Sequence, residues 1–140
     1  MIVAKAQVKN GGGEHSVVLI TNDHAHSITI PPKDSGGSSA NGAELLFLAL
    51  ATCYCNDIYR EATKRSIAVK SVQVEVEGTF DGAPGSTAQD IAYSAVVEAD
   101  AAEDAIIDLM KHTDTVAEIQ NTLRMGTTVT LKSMTAVSTG

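Results

Sequence analysis

Two thiols carry the clearest chemical potential in this chain, Cys53 and Cys55, and both lie in the stretch NGAELLFLALATCYCNDIYREATKRS, Asn41 to Ser66. A cysteine works as a nucleophile through its thiolate, so it needs a positive neighbour or a helix N-terminus to favour the charged form. If the stretch is helical, Cys53 shares a face with Leu46 and Leu50, whereas Cys55 turns toward Ala51 and Tyr59. Residues two apart on a helix face different directions, so the two sulfurs cannot bond without local unwinding. Cys53 lies about three turns into the helix, too deep for the dipole of that helix to help much. The plain structural reading of both residues is a small buried hydrophobe. A reactive Cys53 therefore requires a cation from elsewhere.

Other constellations are weaker. Glu44 and Asp57 lack the spacing of a paired-carboxylate hydrolase site. Ser, His and Asp occur, but no G-x-S-x-G elbow does. His15, His24 and His26 read as exposed hairpin residues, because neither a compact His/Cys set nor a helical HExxH is present. No metal and no bound cofactor is called for. Asn10-Gly11-Gly12-Gly13 reads as a hairpin turn rather than an anion-cradling loop.

The elements that must position the thiols follow from periodicity. Asn41 with Glu44 three residues on is a capping box, and the central helix runs from there to Lys64 or Arg65. Before it, Ile2–Val8, Ser16–Thr21 and His26–Ile30 form an antiparallel meander ended by Pro31-Pro32. After it, Val72, Val74 and Val76 alternate with Ser71, Gln73, Glu75 and Glu77 in a strand over Val69–Phe80. Ile91, Tyr93, Ala95 and Val97 mark its antiparallel partner. Asp100 is expected to cap a second helix whose apolar stripe is Ala101, Ala105, Ile106, Leu109 and Met110. A short helical turn near Val116–Ile119 ends at Gly126, and Thr127 to Met134 reads as a last strand. The order is βββαββαβ, an α+β fold over one domain, residues 1–140.

The 140 residues suffice for a real core, and 44% apolar with 19% charged residues argues for an ordinary folded protein rather than disorder. A net charge of −7 without a basic run argues against nucleic acid and gives no polybasic membrane patch. The opening MIVAKAQV holds no apolar run of signal-peptide length, no stretch is long enough to span a membrane, and two thiols do not make a secreted disulfide framework. A cytoplasmic protein is expected.

At this point the chain resembles the OsmC/Ohr family of thiol-dependent hydroperoxide reductases. The resemblance rests on Gly36-Gly37, on Asn41-Gly42-Ala43-Glu44-Leu45-Leu46 and on Leu48-Ala49-Leu50-Ala51-Thr52-Cys53, with the elements in family order. It implies an intertwined homodimer with two sites at the interface and a peroxidatic cysteine at Cys53. Glu44 keeps the glutamate of the family's helix start. The family's second cysteine would fall near Thr115 to Ala117, where none stands, its Ohr-branch glutamate falls at Ala43, and its N-terminal arginine has no counterpart, since the first arginine is Arg60. The resemblance thus implies a one-cysteine reducer of organic hydroperoxides, resolved by an external thiol. The alternative is a non-catalytic small-molecule-binding or stress-associated dimer. Candidate sources of charge for Cys53 are a lysine, Arg60, Arg65, Arg124 or a partner chain. Arg124 is the choice, because Asn121-Thr122-Leu123-Arg124 resembles the segment that follows the family's second cysteine.

Overall fold

A computed structural model describes residues 1–140. The elements are β1 (Ala4–Gly11), β2 (Glu14–Thr21), β3 (His24–Ile28), α1 (Gly42–Lys64), β4 (Ala68–Thr79), β5 (Gln89–Asp100), α2 (Glu103–Val116) and α3 (Glu118–Met125). The chain divides into two compact units, residues 1–47 and 48–140, with the division falling inside α1.

The first unit is the expected meander, an antiparallel sheet in the order β1-β2-β3. Its second turn is Asn22-Asp23, where φ is 46° and 69°. Two successive left-handed residues match the twist of a two-residue hairpin, and Asn and Asp tolerate that region better than other side chains. Asn10 then pins the glycine-rich approach to α1: its amide nitrogen donates to the Gly37 carbonyl at 3.0 Å, and the Gly37 N–H donates to its Oδ1 at 3.2 Å. The capping box forms as the spacing predicts. Glu44 N–H donates to Asn41 Oδ1 at 2.8 Å and Asn41 N–H donates to Glu44 Oε1 at 2.9 Å.

In the second unit the rest of α1 packs with the β4–β5 hairpin and α2. Tyr54, Ile58 and Ala62 recur every four residues on α1 and form the core with Leu109 of α2. Val72, Val74, Tyr93, Ala95 and Val97 close over it from the hairpin. Alternation in the strands is therefore real: the inward residues are half-buried and Ser71, Gln73, Glu75 and Glu77 face water. The Tyr54 hydroxyl donates to the Met110 carbonyl at 2.9 Å, which removes the cost of burying it, and its ring meets Tyr93 edge-on at 5.0 Å.

The end of α1 is fixed by main-chain bonds. Ile67 N–H reaches the Ala62 carbonyl at 2.9 Å and Ser66 N–H reaches Thr63 at 3.2 Å, with Ser66 left-handed at φ 55°. This is the Schellman arrangement with serine where glycine is usual, and it turns Ile67 back onto the core.

Two sequence expectations are corrected. The order is βββαββαα, not βββαββαβ: Thr127–Met134 forms no strand, and Val129 and Leu131 are 95% and 78% exposed. Alternation makes a strand only where the backbone finds an edge to pair with, and no strand pairs with this segment. Asp100 stays in β5; the residue before α2 is Ala102, with no side-chain cap. Gly126 does end the last helix, at φ 69° with its N–H on the Thr122 carbonyl. No helix is long and apolar enough to cross a membrane.

Candidate active site

On α1, Cys53, Asp57, Arg60 and Glu61 fall at spacings of four, three and one, so they line one side of the helix. The Cys53 thiol donates to Asp57 Oδ2 at 3.5 Å. The start of α3 completes the site: Glu118 Oε2 lies 3.9 Å from the same sulfur, and the Ile119 main-chain N–H favours its thiolate. Cys53 thus lies beside the first turn of α3, just after Thr115 to Ala117, where the resemblance places the family's second cysteine. Exposed N–H groups at a helix start favour an anion.

The cation at this site is Arg60. One guanidinium nitrogen bridges Asp57 Oδ1 at 3.1 Å and Glu118 Oε1 at 3.0 Å, while Nε holds Glu61 Oε2 at 2.9 Å. Glu61 is only 4% exposed and anchors this group, receiving Lys64 at 3.0 Å and His112 Nε2 at 2.8 Å as well. These partners, Arg60 first, pull its carboxyl down to about 2.

The opposing influences on Cys53 do not cancel. Burial pushes its thiol above the ordinary cysteine value, the Ile119 N–H pulls it down, and the charges of Asp57 and Glu118 push it up again. Asp57 is raised too, by burial first and then by Glu118, with Arg60 opposing. Glu118 is lowered, first by its own main-chain N–H and also by Asp57 and Arg60. The Cys53 thiol is thus held in its protonated form and donates to an Asp57 carboxyl whose own affinity for a proton is raised. The Cys53, Asp57 and Glu118 donor atoms lie within 4.8 Å of one another, a spacing that could hold a cation, and one nitrogen of the Arg60 guanidinium already bonds both carboxylates.

Of the residues singled out from sequence, Cys53 is at the centre of this cluster. Glu44 is engaged with Asn41 at the start of α1. Arg124 is paired elsewhere, donating to Asp114 Oδ1 at 2.7 Å and to the Asp114 carbonyl at 3.1 Å. Asp114 also accepts the Tyr93 hydroxyl. Cys55 lies half-buried beside Ala51, Val72 and Val74. Arg60 was legible from its seven-residue spacing to Cys53; Glu118 and the Ile119 N–H were not.

Residues 35–132 match the family model described as OsmC-like protein. The chain belongs to the OsmC-like family. Solved structures with the same fold include an OsmC-like protein from Mycoplasma pneumoniae, 17% identical over 86% of this chain and 87% of that one, TM-score 0.61. A hypothetical protein from Aquifex aeolicus is 15% identical over 91% and 89%, TM-score 0.60. An OsmC-like hydroperoxide resistance protein from Jannaschia is 12% identical over 91% and 89%, TM-score 0.55. No curated protein sequence matches. At these identities the likeness is one of fold: α+β, with antiparallel sheets and three helices.

Proposed function

We propose that this OsmC-like domain reduces organic hydroperoxides through Cys53 alone, as a cytoplasmic homodimer supplied with electrons by an external thiol. The reading is supported most by one observation: the Cys53 thiol donates to the Asp57 carboxyl at 3.5 Å. Geometry comes first in assigning a general base, and Asp57 has both the reach and an upward-shifted carboxyl. Asp57 takes the thiol proton as sulfur attacks the terminal peroxide oxygen. The O–O bond breaks, the alkoxide leaves, and the proton held by Asp57 returns to it directly or through water. Cys53 is oxidised to the sulfenic acid and the peroxide is reduced to an alcohol. Arg60 keeps Asp57 and Glu118 in place and offsets the negative charge that develops. With no later cysteine in the chain, one external thiol condenses with the sulfenic acid, releasing water, and a second reduces the mixed disulfide.

The test is steady-state consumption of cumene hydroperoxide with dithiothreitol. Turnover is expected for the native protein and for Cys55→Ala and is expected to vanish in Cys53→Ser; turnover that survives Cys53→Ser overturns the proposal. The dimer is tested by sedimentation at micromolar concentration, where only a 14.6 kDa species would contradict it.

One observation favours a second reading, a non-catalytic small-molecule-binding protein: burial and two carboxylates hold the Cys53 thiol protonated. That reading predicts alkylation of Cys53 by iodoacetamide at a slow rate and no peroxide consumption.

A further inference from the structure

One exposed carboxylate stands over the approach to Cys53. The Glu118 side chain is 63% exposed, whereas that of Asp57 is 9% exposed. Glu118 Oε2 lies 3.9 Å from the Cys53 sulfur and Asp57 Oδ2 lies 3.5 Å from it. A reagent arriving from solvent therefore meets the charge of Glu118 as it comes within bonding range of the sulfur.

The nearest cation does not cancel this charge at the sulfur. Arg60 divides one guanidinium among Asp57, Glu61 and Glu118. It bonds Asp57 Oδ1 and Glu118 Oε1, the oxygens other than the two beside the sulfur. Lys64 and His112 are turned to Glu61. A helix start would ordinarily welcome an anion, but Glu118 itself takes up that pole of α3. Its carboxyl is lowered first by its own main-chain N–H, so it is ionised wherever a thiol reacts. The Ile119 N–H acts on the sulfur.

We propose that Glu118 makes Cys53 selective for uncharged electrophiles and turns anionic ones away. The hydroperoxides reduced here are then neutral molecules, and those that carry a carboxylate near the peroxide are poor substrates. The substrate class rests on the peroxide reading given above; the selectivity of the thiol does not. Two unit charges about 5 Å apart in a water-like dielectric change a rate about fourfold, and partial burial raises the effect. The discrimination is expected to be about three- to tenfold at low salt.

The experiment compares alkylation by iodoacetamide and by iodoacetate, which are similar in size and differ in charge. In both, sulfur displaces iodide and the thiol proton goes to solvent. Rates are read by intact mass on the Cys55→Ala chain, where Cys53 is the only thiol. The ratio of amide to acid rates is expected to exceed that of mercaptoethanol by about three- to tenfold. About 1 M salt, where the screening length is about 3 Å, is expected to shrink the excess in the native protein. Glu118→Gln is expected to bring the ratio down toward that of mercaptoethanol. Glu75→Gln, on the water-facing side of β4, changes the net charge equally and is expected to leave the ratio as it was. A native ratio equal to that of mercaptoethanol, or an equal fall in both variants, overturns the proposal.

The substrate class is read from kcat/KM for cumene hydroperoxide bearing a para carboxylate and for its methyl ester. The ester is expected to be the better substrate, with the gap closing in Glu118→Gln. Equal rates in the native protein overturn the substrate class. No turnover of either overturns the peroxide reading instead, while the alkylation ratio still decides the role of Glu118.

Discussion

Replacing Asp57 by asparagine separates two roles that a carboxylate beside a thiol can play. As a charge, Asp57 opposes thiolate formation. Across the 3.5 Å between Sγ and Oδ2, the repulsion is about 1 kcal/mol in a water-like dielectric and about 5 kcal/mol at an effective value of 20. Cys53 is half-buried and Arg60 is paired with the same carboxylate, which places the effect toward the lower figure, so removing the charge favours thiolate by about tenfold. As a base, Asp57 contributes the roughly 10²–10⁴-fold typical of positioned proton transfer. The base outweighs the charge, and Asp57→Asn is expected to slow sulfenic acid formation at pH 7 by about 10- to 10³-fold. The pH profile is the sharper readout. Transfer from Cys53 to Asp57 conserves protons, so the native rate is expected to be nearly flat between the carboxyl and thiol titrations. The asparagine variant must release its proton to water, and its rate is expected to rise about tenfold per pH unit up to the thiol titration. Stopped-flow measurement of cumene hydroperoxide reduction from pH 6 to 9, in single turnover, reads both. A variant as fast as the native protein at pH 7, or two profiles of equal slope, refutes the general-base role.

Other consequences concern the frame that holds the site. Ile58 is fully buried, so Ile58→Ala is expected to cost about 2–5 kcal/mol by urea unfolding. Ser66 bears the left-handed turn after α1, and Ser66→Gly is expected to stabilise by about 0.5–1 kcal/mol in the same assay. Glu61 has a folded-state carboxyl well below its ordinary 4.5, so the stability it contributes is present above that pH and is lost as pH falls toward about 2. Acid titration by circular dichroism is expected to show this loss for the native protein, and a smaller one between those limits for Glu61→Gln.

Local chemistry was readable from the sequence where it is completed within a few residues. The Asn41–Glu44 box, the Asn22-Asp23 turn, the alternating β4 and the Gly126 stop all depend on near neighbours. The segment Thr127–Met134 carries the same alternation and stays irregular, because pairing depends on an edge that the segment does not itself contain. Charge near Cys53 divides the same way. Arg60 reaches Asp57, the partner of the Cys53 thiol, along their shared helix, whereas Arg124 is held by Asp114. Glu118 and the Ile119 N–H arrive from a helix 65 residues away from Cys53, as the Cys53–Glu118 contact records, and no periodicity foretells that meeting.

The central claim is that Cys53 is oxidised by peroxide and that nothing within the chain resolves it. Intact-mass analysis after one equivalent of cumene hydroperoxide, in the presence of a dimedone-type sulfenic acid trap, tests it most directly. A single adduct is expected on the native protein and on Cys55→Ala, absent in Cys53→Ser, and absent when dithiothreitol is added before the trap. No adduct on the native protein, or a loss of two hydrogens marking a Cys53–Cys55 disulfide, would contradict the account.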